Sequence, residues 1–91
     1  MLKTELFSIG DLRISVYDFN SNGDILPMHS HTINDNHITI VARGSIELTG
    51  INWKKDCVSG DVLDFADGQD HEIQSTSDGT RIINIIKKLQ A

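Results

Sequence analysis

The stretch GDILPMHSHTINDNHITIVARG, residues 23–44, decides how this chain folds and which chemistry it can carry. Its first half holds His29 and His31, separated by one residue, and its second half is an alternating segment that opens at His37. Alternate side chains of a β-strand share a face, so an H-x-H pair directs both imidazoles the same way. Two neutral imidazoles on one face form half of a metal site, and further ligands must then come from elsewhere in the chain.

The remaining histidine lies in a second block of similar layout, GDVLDFADGQDHEIQS at residues 60–75, in which His71 opens a strand-like segment. Each block begins at a glycine and carries its histidines next to a strand pattern. Because no other histidine exists in the chain, the candidate metal ligands are His29, His31, His37 and His71.

Apolar residues alternate with polar ones along most of the chain, with a period of two. Turn-forming clusters of Gly, Asn, Asp and Ser separate these runs, and no window of a dozen residues shows a helical stripe. Short strands at such intervals predict an all-β sandwich or barrel, with one domain over residues 1–91 and a hairpin connection or edge strand at residues 53–57. Six positions are predicted by their parity to line the interior of the barrel: Phe19, Thr39, Val41, Leu63, Phe65 and Ile73.

The segment IINII, residues 82–86, is apolar on both faces of the strand it predicts. A chain of 91 residues has little material with which to cover a second apolar face. A second subunit would supply that cover, and the segment therefore predicts a homodimer.

The composition argues against several classes of partner. Eight Lys and Arg against thirteen Asp and Glu give a formal net charge of −5, and no basic run alternates with aromatic residues. We therefore expect no nucleic acid and no anionic membrane surface as a partner. The sequence has no apolar run long enough to span a membrane, no recognisable signal peptide and a single cysteine, Cys57. These features predict a cytoplasmic protein without an intramolecular disulfide.

The two blocks resemble the signature motifs of the cupin superfamily, whose small jelly-roll barrels carry a metal ion. The first family motif is written G-x5-H-x-H-x3/4-E-x6-G, and residues 23–44 fit its first and last intervals. Five residues rather than three or four follow His31, however, and His37 stands in the position of the glutamate. The second motif is written G-x5-P-x-G-x2-H-x3-N. Residues 60–75 match all its spacings, with an alanine for the proline and a serine for the asparagine.

The resemblance implies a single jelly-roll barrel in which His29, His31, His37 and His71 bind one metal ion. Asp35 is the alternative to His37, because it lies at the family's shorter spacing from His31 and has the same parity as His37. Imidazole ligands suit transition metals rather than magnesium or calcium. The expected cofactor is a divalent transition metal ion: Fe, Zn, Ni, Mn or Cu.

Three functions are open to such a barrel. The first is a metal-dependent enzyme that acts on a small chelating or anionic molecule in the barrel. Its ligand set resembles that of the cupin dioxygenases, and isomerase or lyase chemistry is an alternative reaction for such an enzyme. The second is a module that binds or senses a small molecule without turnover. The third is a structural barrel that the metal only stabilises. The absence of long lid-forming loops weighs against the enzyme, and the sequence identifies no catalytic residue.

Overall fold

The computed structural model describes residues 2–29, 35–64 and 71–88, and it gives the backbone alone for Met28, His29, Asp35, Asn36 and Lys88. Within these ranges the chain forms strands and no helix. The strands are β1 (Leu2–Ile9), β2 (Leu12–Phe19), β3 (Ile25–His29), β4 (Asp35–Arg43), β5 (Ser45–Gly50), β6 (Lys54–Val58), β7 (Val62–Asp64), β8 (His71–Ser75) and β9 (Thr80–Lys88). No helix that could cross a membrane is found in the described part of the chain.

The strands form two antiparallel sheets, in the orders β1-β2-β9-β4-β7 and β3-β8-β5-β6. Neighbours in each sheet are mostly distant in sequence, so the chain repeatedly crosses between the sheets, as in a jelly roll. The predicted all-β jelly-roll fold is confirmed. The segment around Trp53 also agrees with its prediction, because β5 and β6 form a hairpin and β6 is an edge strand.

The core lies between the two sheets and takes side chains from both of them. Five of the six predicted interior positions are buried, and the sixth, Phe65, lies outside the described residues. Burying a large apolar side chain contributes roughly 1.5–3 kcal/mol, so this cluster is the main source of stability. The buried apolar residues are Phe19, Val41, Ile46, Leu48, Cys57, Leu63, Ile73 and Ile82.

Two positions at the ends of β5 are glycines because no side chain fits there. Gly44, which closes the first histidine block, has a φ of 83°, and a Cβ at this position would lie 2.9 Å from the Cα of Thr80. A Cβ on Gly50 would overlap the indole ring of Trp53, which covers that backbone. Both sites require a residue without a side chain, and the first favours glycine for its positive φ as well.

Candidate metal centre

Two of the four predicted ligands, His37 and His71, face each other between the sheets. His37 lies on β4, opposite Ile86 of β9, and His71 is the first residue of β8, opposite Gly50 of β5. Their side chains are 5% and 0% exposed, and their ring centroids are 6.4 Å apart with the planes inclined by 23°. The fold therefore brings one imidazole from each sheet to the same buried place.

The backbone of His29 lies next to this pair, because His29 is the register partner of His71 between β3 and β8. The register shifts by one position between Leu26 and His29, in the segment that contains Pro27. Proline has no N–H for the ladder and is found at such bulges. Directly opposite residues of an antiparallel pair share a face of the sheet, so the bulge sets which residue of β3 shares a face with His71. His31 lies outside the described residues.

The longer spacing in the first block does not disturb β4. Pairing with β9 is regular from Asp35 to Val41, so His37 lies inside an uninterrupted ladder. Asp35 is two positions before His37 on the same strand, and only its backbone is described. The choice between His37 and Asp35 as a ligand stays a prediction.

A short chain of buried hydrogen bonds fixes the proton of His37. The Thr39 hydroxyl donates to Oδ1 of Asn84 at 2.6 Å, and Thr39 Oγ1 lies 3.1 Å from Nε2 of His37. A hydroxyl has one proton, so Nε2 of His37 must be the donor in the second bond. In the neutral ring the lone pair is then on Nδ1. Thr39 and Asn84 are register partners on β4 and β9, and both are buried.

Parity in the sequence predicts that Thr39 lies in the interior, but it does not predict the contact of Thr39 with Asn84. The two residues are 45 positions apart, and their contact follows from the pairing of β4 with β9. The one cue for Asn84 is that it is the single polar residue in the apolar run of residues 82–86.

The separation of the two rings is at the upper limit for ligands of one metal ion. When two imidazoles bind the same ion through metal–nitrogen bonds of about 2.1 Å, their ring centroids are at most about 6.5 Å apart, and this maximum requires a linear arrangement. The observed 6.4 Å is at this upper limit, so the rings would move closer in any bent arrangement. Among the described side chains no group of three or more His, Cys, Asp or Glu converges. The His29 side chain and His31 are not among those described.

A second polar cluster lies at the other end of β4, on the outer side of the five-stranded sheet. Arg81 donates from Nε and Nη2 to the carboxylate of Asp18 at 2.7 and 3.0 Å, and Nη2 of Arg43 lies 3.8 Å from the same carboxylate. The hydrogen bond from Arg81 holds the pKa of Asp18 below its ordinary value. Arg43 also donates to the carbonyl oxygen of Gly79 at 2.7 Å, and these groups line a cavity of about 380 Å³.

Cys57 is 1% exposed in the core, and burial raises the pKa of its thiol. A buried thiol with a raised pKa has little thiolate at neutral pH, so Cys57 is a packing residue rather than a nucleophile.

Comparisons with known proteins identify the fold. No protein-family model matches the sequence, and a comparison with curated proteins gives no match. Among solved structures, KdgF from Halomonas sp. is similar with a TM-score of 0.82 and 17% identity, over 98% of this chain and 80% of that one. An RmlC-like cupin protein from Desulfovibrio desulfuricans has a TM-score of 0.82 and 24% identity, over 94% and 81%.

A third similar structure is a variant of oxalate decarboxylase from Bacillus subtilis, with a TM-score of 0.74 and 20% identity. The match covers 86% of this chain and 21% of that longer one. The likeness to KdgF and to the RmlC-like protein extends over nearly the whole of this chain. The chain has the fold of the cupin superfamily.

Proposed function

We propose that this chain is a small mononuclear metal-binding cupin that holds a small chelating or anionic molecule in its barrel. The observation that carries the proposal is the buried pair of imidazoles, His37 and His71, contributed by opposite sheets with centroids 6.4 Å apart. Imidazole in its neutral form is the commonest metal ligand in proteins. The register of His29 with His71 supports a third ligand at the same place.

The proposed ligand set is His29, His31, His37 and His71. The bond from His37 to Thr39 uses Nε2, so Nδ1 is the nitrogen that would bind the ion. Residues that orient a ligand through its other ring nitrogen commonly tune a metal site, and Thr39 with Asn84 would do so here. The expected ion is a divalent transition metal, because the donors are borderline nitrogen ligands.

The chemical class of the bound molecule follows from the charge of such a site. Four imidazoles are neutral, so a divalent ion would keep its full double charge and act as a Lewis acid towards an anion or a chelating oxygen pair. The likeness to oxalate decarboxylase, which acts on a small dianion according to its name, supports this class. Turnover, for example as a dioxygenase, is the first candidate activity, and binding without turnover is the second.

Metal content after purification without added metal tests the proposal. We expect close to one transition metal ion per chain, and much less after His71→Ala. Glu72→Ala is the matched control, since Glu72 is the neighbouring residue on β8 and is only half-buried. Full metal content in His71→Ala, with circular dichroism of a folded β-protein, would contradict the site.

Oxygen uptake separates the two candidate activities. The iron-loaded protein is mixed with small dicarboxylic and 2-oxo acids, and oxygen consumption is recorded. Consumption that disappears in His71→Ala favours the oxygenase. Binding of the same acids by calorimetry without any consumption favours the binding module instead.

A further inference from the structure

The cavity of about 380 Å³ lies at one end of the five-stranded sheet, and its charged lining residues come from four neighbouring strands. These residues are Lys3 on β1, Asp18 on β2, Arg81 on β9 and Arg43 on β4. Each is the register partner of the next one across the sheet. Because opposite residues of antiparallel strands share a face, the four side chains form one row, which we call the charged row.

A β-bulge in β4 brings Arg43 into the charged row. The register shifts between Val41 and Arg43, so that Ala42 is passed over in the pairing with β9. In an unbroken ladder Ala42 would lie opposite Arg81 and would take the place of Arg43 on the outer face. Bulges often redirect a side chain next to a functional site. Here the bulge replaces a methyl group by a guanidinium at the border of the cavity.

Hydrogen bonds fix both guanidiniums and leave donors of each without a protein partner. Arg81 uses Nε and Nη2 for the carboxylate of Asp18, and Arg43 uses Nε for the carbonyl oxygen of Gly79. Nη2 of Arg43 is 3.8 Å from Asp18 Oδ1, which is too far for a hydrogen bond. Within the described residues, both Nη groups of Arg43 and Nη1 of Arg81 are therefore available to a ligand. Donors that are already held in place cost less entropy when a ligand binds.

The charges around the cavity do not balance. Three cationic side chains and one carboxylate line it, an excess of two positive charges in a chain whose formal net charge is −5. The charges of Arg81, Arg43 and Lys3 all lower the pKa of Asp18, so they act on the same carboxylate. An anion in the cavity would offset the repulsion among these cations. The negative charge of the rest of the chain repels a polyanion, so a small anion is the ligand that fits.

We propose that this cavity binds a phosphate group, either as inorganic phosphate or as the phosphate monoester of a small molecule. A phosphate monoester carries a charge of about −1.5 to −2 at pH 7, which matches the excess of positive charge. The two Nη groups of Arg43 suit two phosphate oxygens, and Lys3 is a point charge for a third. The amide of Asn20, which also lines the cavity, is a further donor.

The cavity has room for more than the phosphate itself. Its volume lies at the lower end of the range of about 300–1,000 Å³ that small-molecule sites occupy, so a small organic group fits beside the phosphate. The site is separate from the proposed metal centre. Arg43 is six residues after His37 on β4, a distance of roughly 20 Å along an extended strand.

Titration of the ¹⁵N-labelled protein with inorganic phosphate, followed by NMR, tests the proposal. Chloride at the same ionic strength gives the effect of screening alone. We expect saturating shifts with a Kd below about 10 mM. The affected backbone amides should be those of the cavity lining: Asp18, Asn20, Arg43, Gly79 and Arg81. A wild type whose amides respond to phosphate no more than to chloride overturns the proposal.

Arg43→Gln should weaken phosphate binding at least tenfold, because it removes the fork and one charge. Arg13→Gln is the matched control: it makes the same change of charge at an exposed position of β2, at the end opposite Asp18, and should bind within about twofold of the wild type. Equal affinities of the two variants contradict the site. If Arg43→Gln does not fold, Lys3→Gln on the exposed edge strand replaces it, and unchanged binding in that variant contradicts the site in the same way.

His71→Ala separates this site from the metal centre, where an anion could also bind. Phosphate binding should be the same in His71→Ala as in the wild type. A response that His71→Ala abolishes and Arg43→Gln retains would place the phosphate on the metal ion and overturn the proposal. Full metal content in His71→Ala, with phosphate binding intact, would contradict the metal site alone.

Two further ligands define the chemical class. Tighter binding of glycerol 3-phosphate than of inorganic phosphate supports a monoester, and the reverse order supports the free ion. Malonate has two negative charges but planar carboxylates, and we expect it to bind more weakly than either phosphate. Tighter binding of malonate would overturn the assignment to phosphate.

Discussion

The backbone N–H of Gly23, which opens the first histidine block, donates to the carbonyl oxygen of Ser75, which closes the second, at 2.8 Å. The bond is part of a small clasp, because the N–H of Ser75 donates to the carbonyl oxygen of Asp24 at 2.9 Å. The Ser75 hydroxyl donates to the carbonyl oxygen of Ser21 at 2.6 Å. The clasp fixes where β3 and β8 begin to pair, and the bulge between Leu26 and His29 then brings His29 opposite His71.

Ser75→Ala should destabilise the barrel by about 1 kcal/mol, since it removes the hydroxyl bond to Ser21 from a fully buried site. Urea denaturation monitored by circular dichroism measures the change. Ser59→Ala, at an exposed position, should lie within about 0.5 kcal/mol of the wild type. Equal stabilities of the two variants would show that the Ser75 hydroxyl does not strengthen the clasp.

Thr39→Val should weaken metal binding about 10- to 100-fold while the barrel stays folded, because it removes the acceptor that holds His37 Nε2–H. Affinity is measured by competition with a chromophoric chelator, and the tautomer of His37 is read from its ring nitrogen shifts by NMR. Thr49→Val on β5 is the control for the loss of a hydroxyl from a strand. If metal binding weakens while the tautomer of His37 stays the same, the effect is due to altered packing and not to the orientation of the His37 ring.

His37→Ala and Asp35→Ala together decide the ligand from the start of β4. If His37 binds the ion, its replacement should lower the metal affinity at least tenfold, and Asp35→Ala should leave the affinity nearly unchanged. Metal titration of both variants by calorimetry makes the comparison. The reverse result would mean that the five-residue spacing has moved the ligand to a carboxylate, giving a site of three histidines and one aspartate.

Much of the fold follows from the sequence because its causes are local. The period-two pattern and the turn clusters predicted an all-β jelly roll, and parity correctly placed Thr39 and Val41 inside the barrel. His71 also begins a strand, as predicted. Pairing partners could not be predicted in this way, since strand order depends on contacts between distant segments.

Polar contacts between distant segments show most clearly what could not be predicted from the sequence. Thr39 bonds to Asn84 across 45 positions, and Asp18 binds Arg81 across 63. Neither pair has a spacing that a local pattern could reveal. For His31 the prediction as a ligand rests on the sequence motif, and for His29 the register of β3 with β8 adds the position of its backbone.

Removing the metal should lower the melting temperature of the wild type on the order of 10 °C. An ion that binds only the folded state, at about one hundred times its Kd, adds roughly 2.7 kcal/mol. One kcal/mol shifts the Tm of a domain of this size by about 4–8 °C. Differential scanning fluorimetry with and without a chelator measures the shift. The Tm of His71→Ala should not change when the chelator is added. If the Tm of the wild type does not change either, the ion does not contribute to the stability of the fold.

The bond between Arg81 and Asp18 should contribute to stability at neutral pH and lose that contribution in acid. The hydrogen bond from Arg81 is the main cause that lowers the pKa of Asp18 below its ordinary 3.8, and the charges of Arg81, Arg43 and Lys3 act in the same direction. A carboxyl with a lowered pKa in the folded state stabilises the fold above its unfolded pKa. The contribution then declines as the pH falls below 3.8 towards the folded pKa.

Arg81→Gln should therefore destabilise the fold slightly at pH 7, because a partly exposed ion pair contributes little, and progressively less below pH 4. Urea denaturation of both proteins at a series of pH values, at one protein concentration, gives the difference directly. Lys54→Gln is the control, because Lys54 Nζ lies 3.9 Å from Oε1 of Glu47 in a longer ion pair, and its effect on stability at pH 7 should be smaller. A difference between wild type and Arg81→Gln that persists undiminished in acid would mean that Arg81 stabilises the sheet by packing and not through the Asp18 carboxylate.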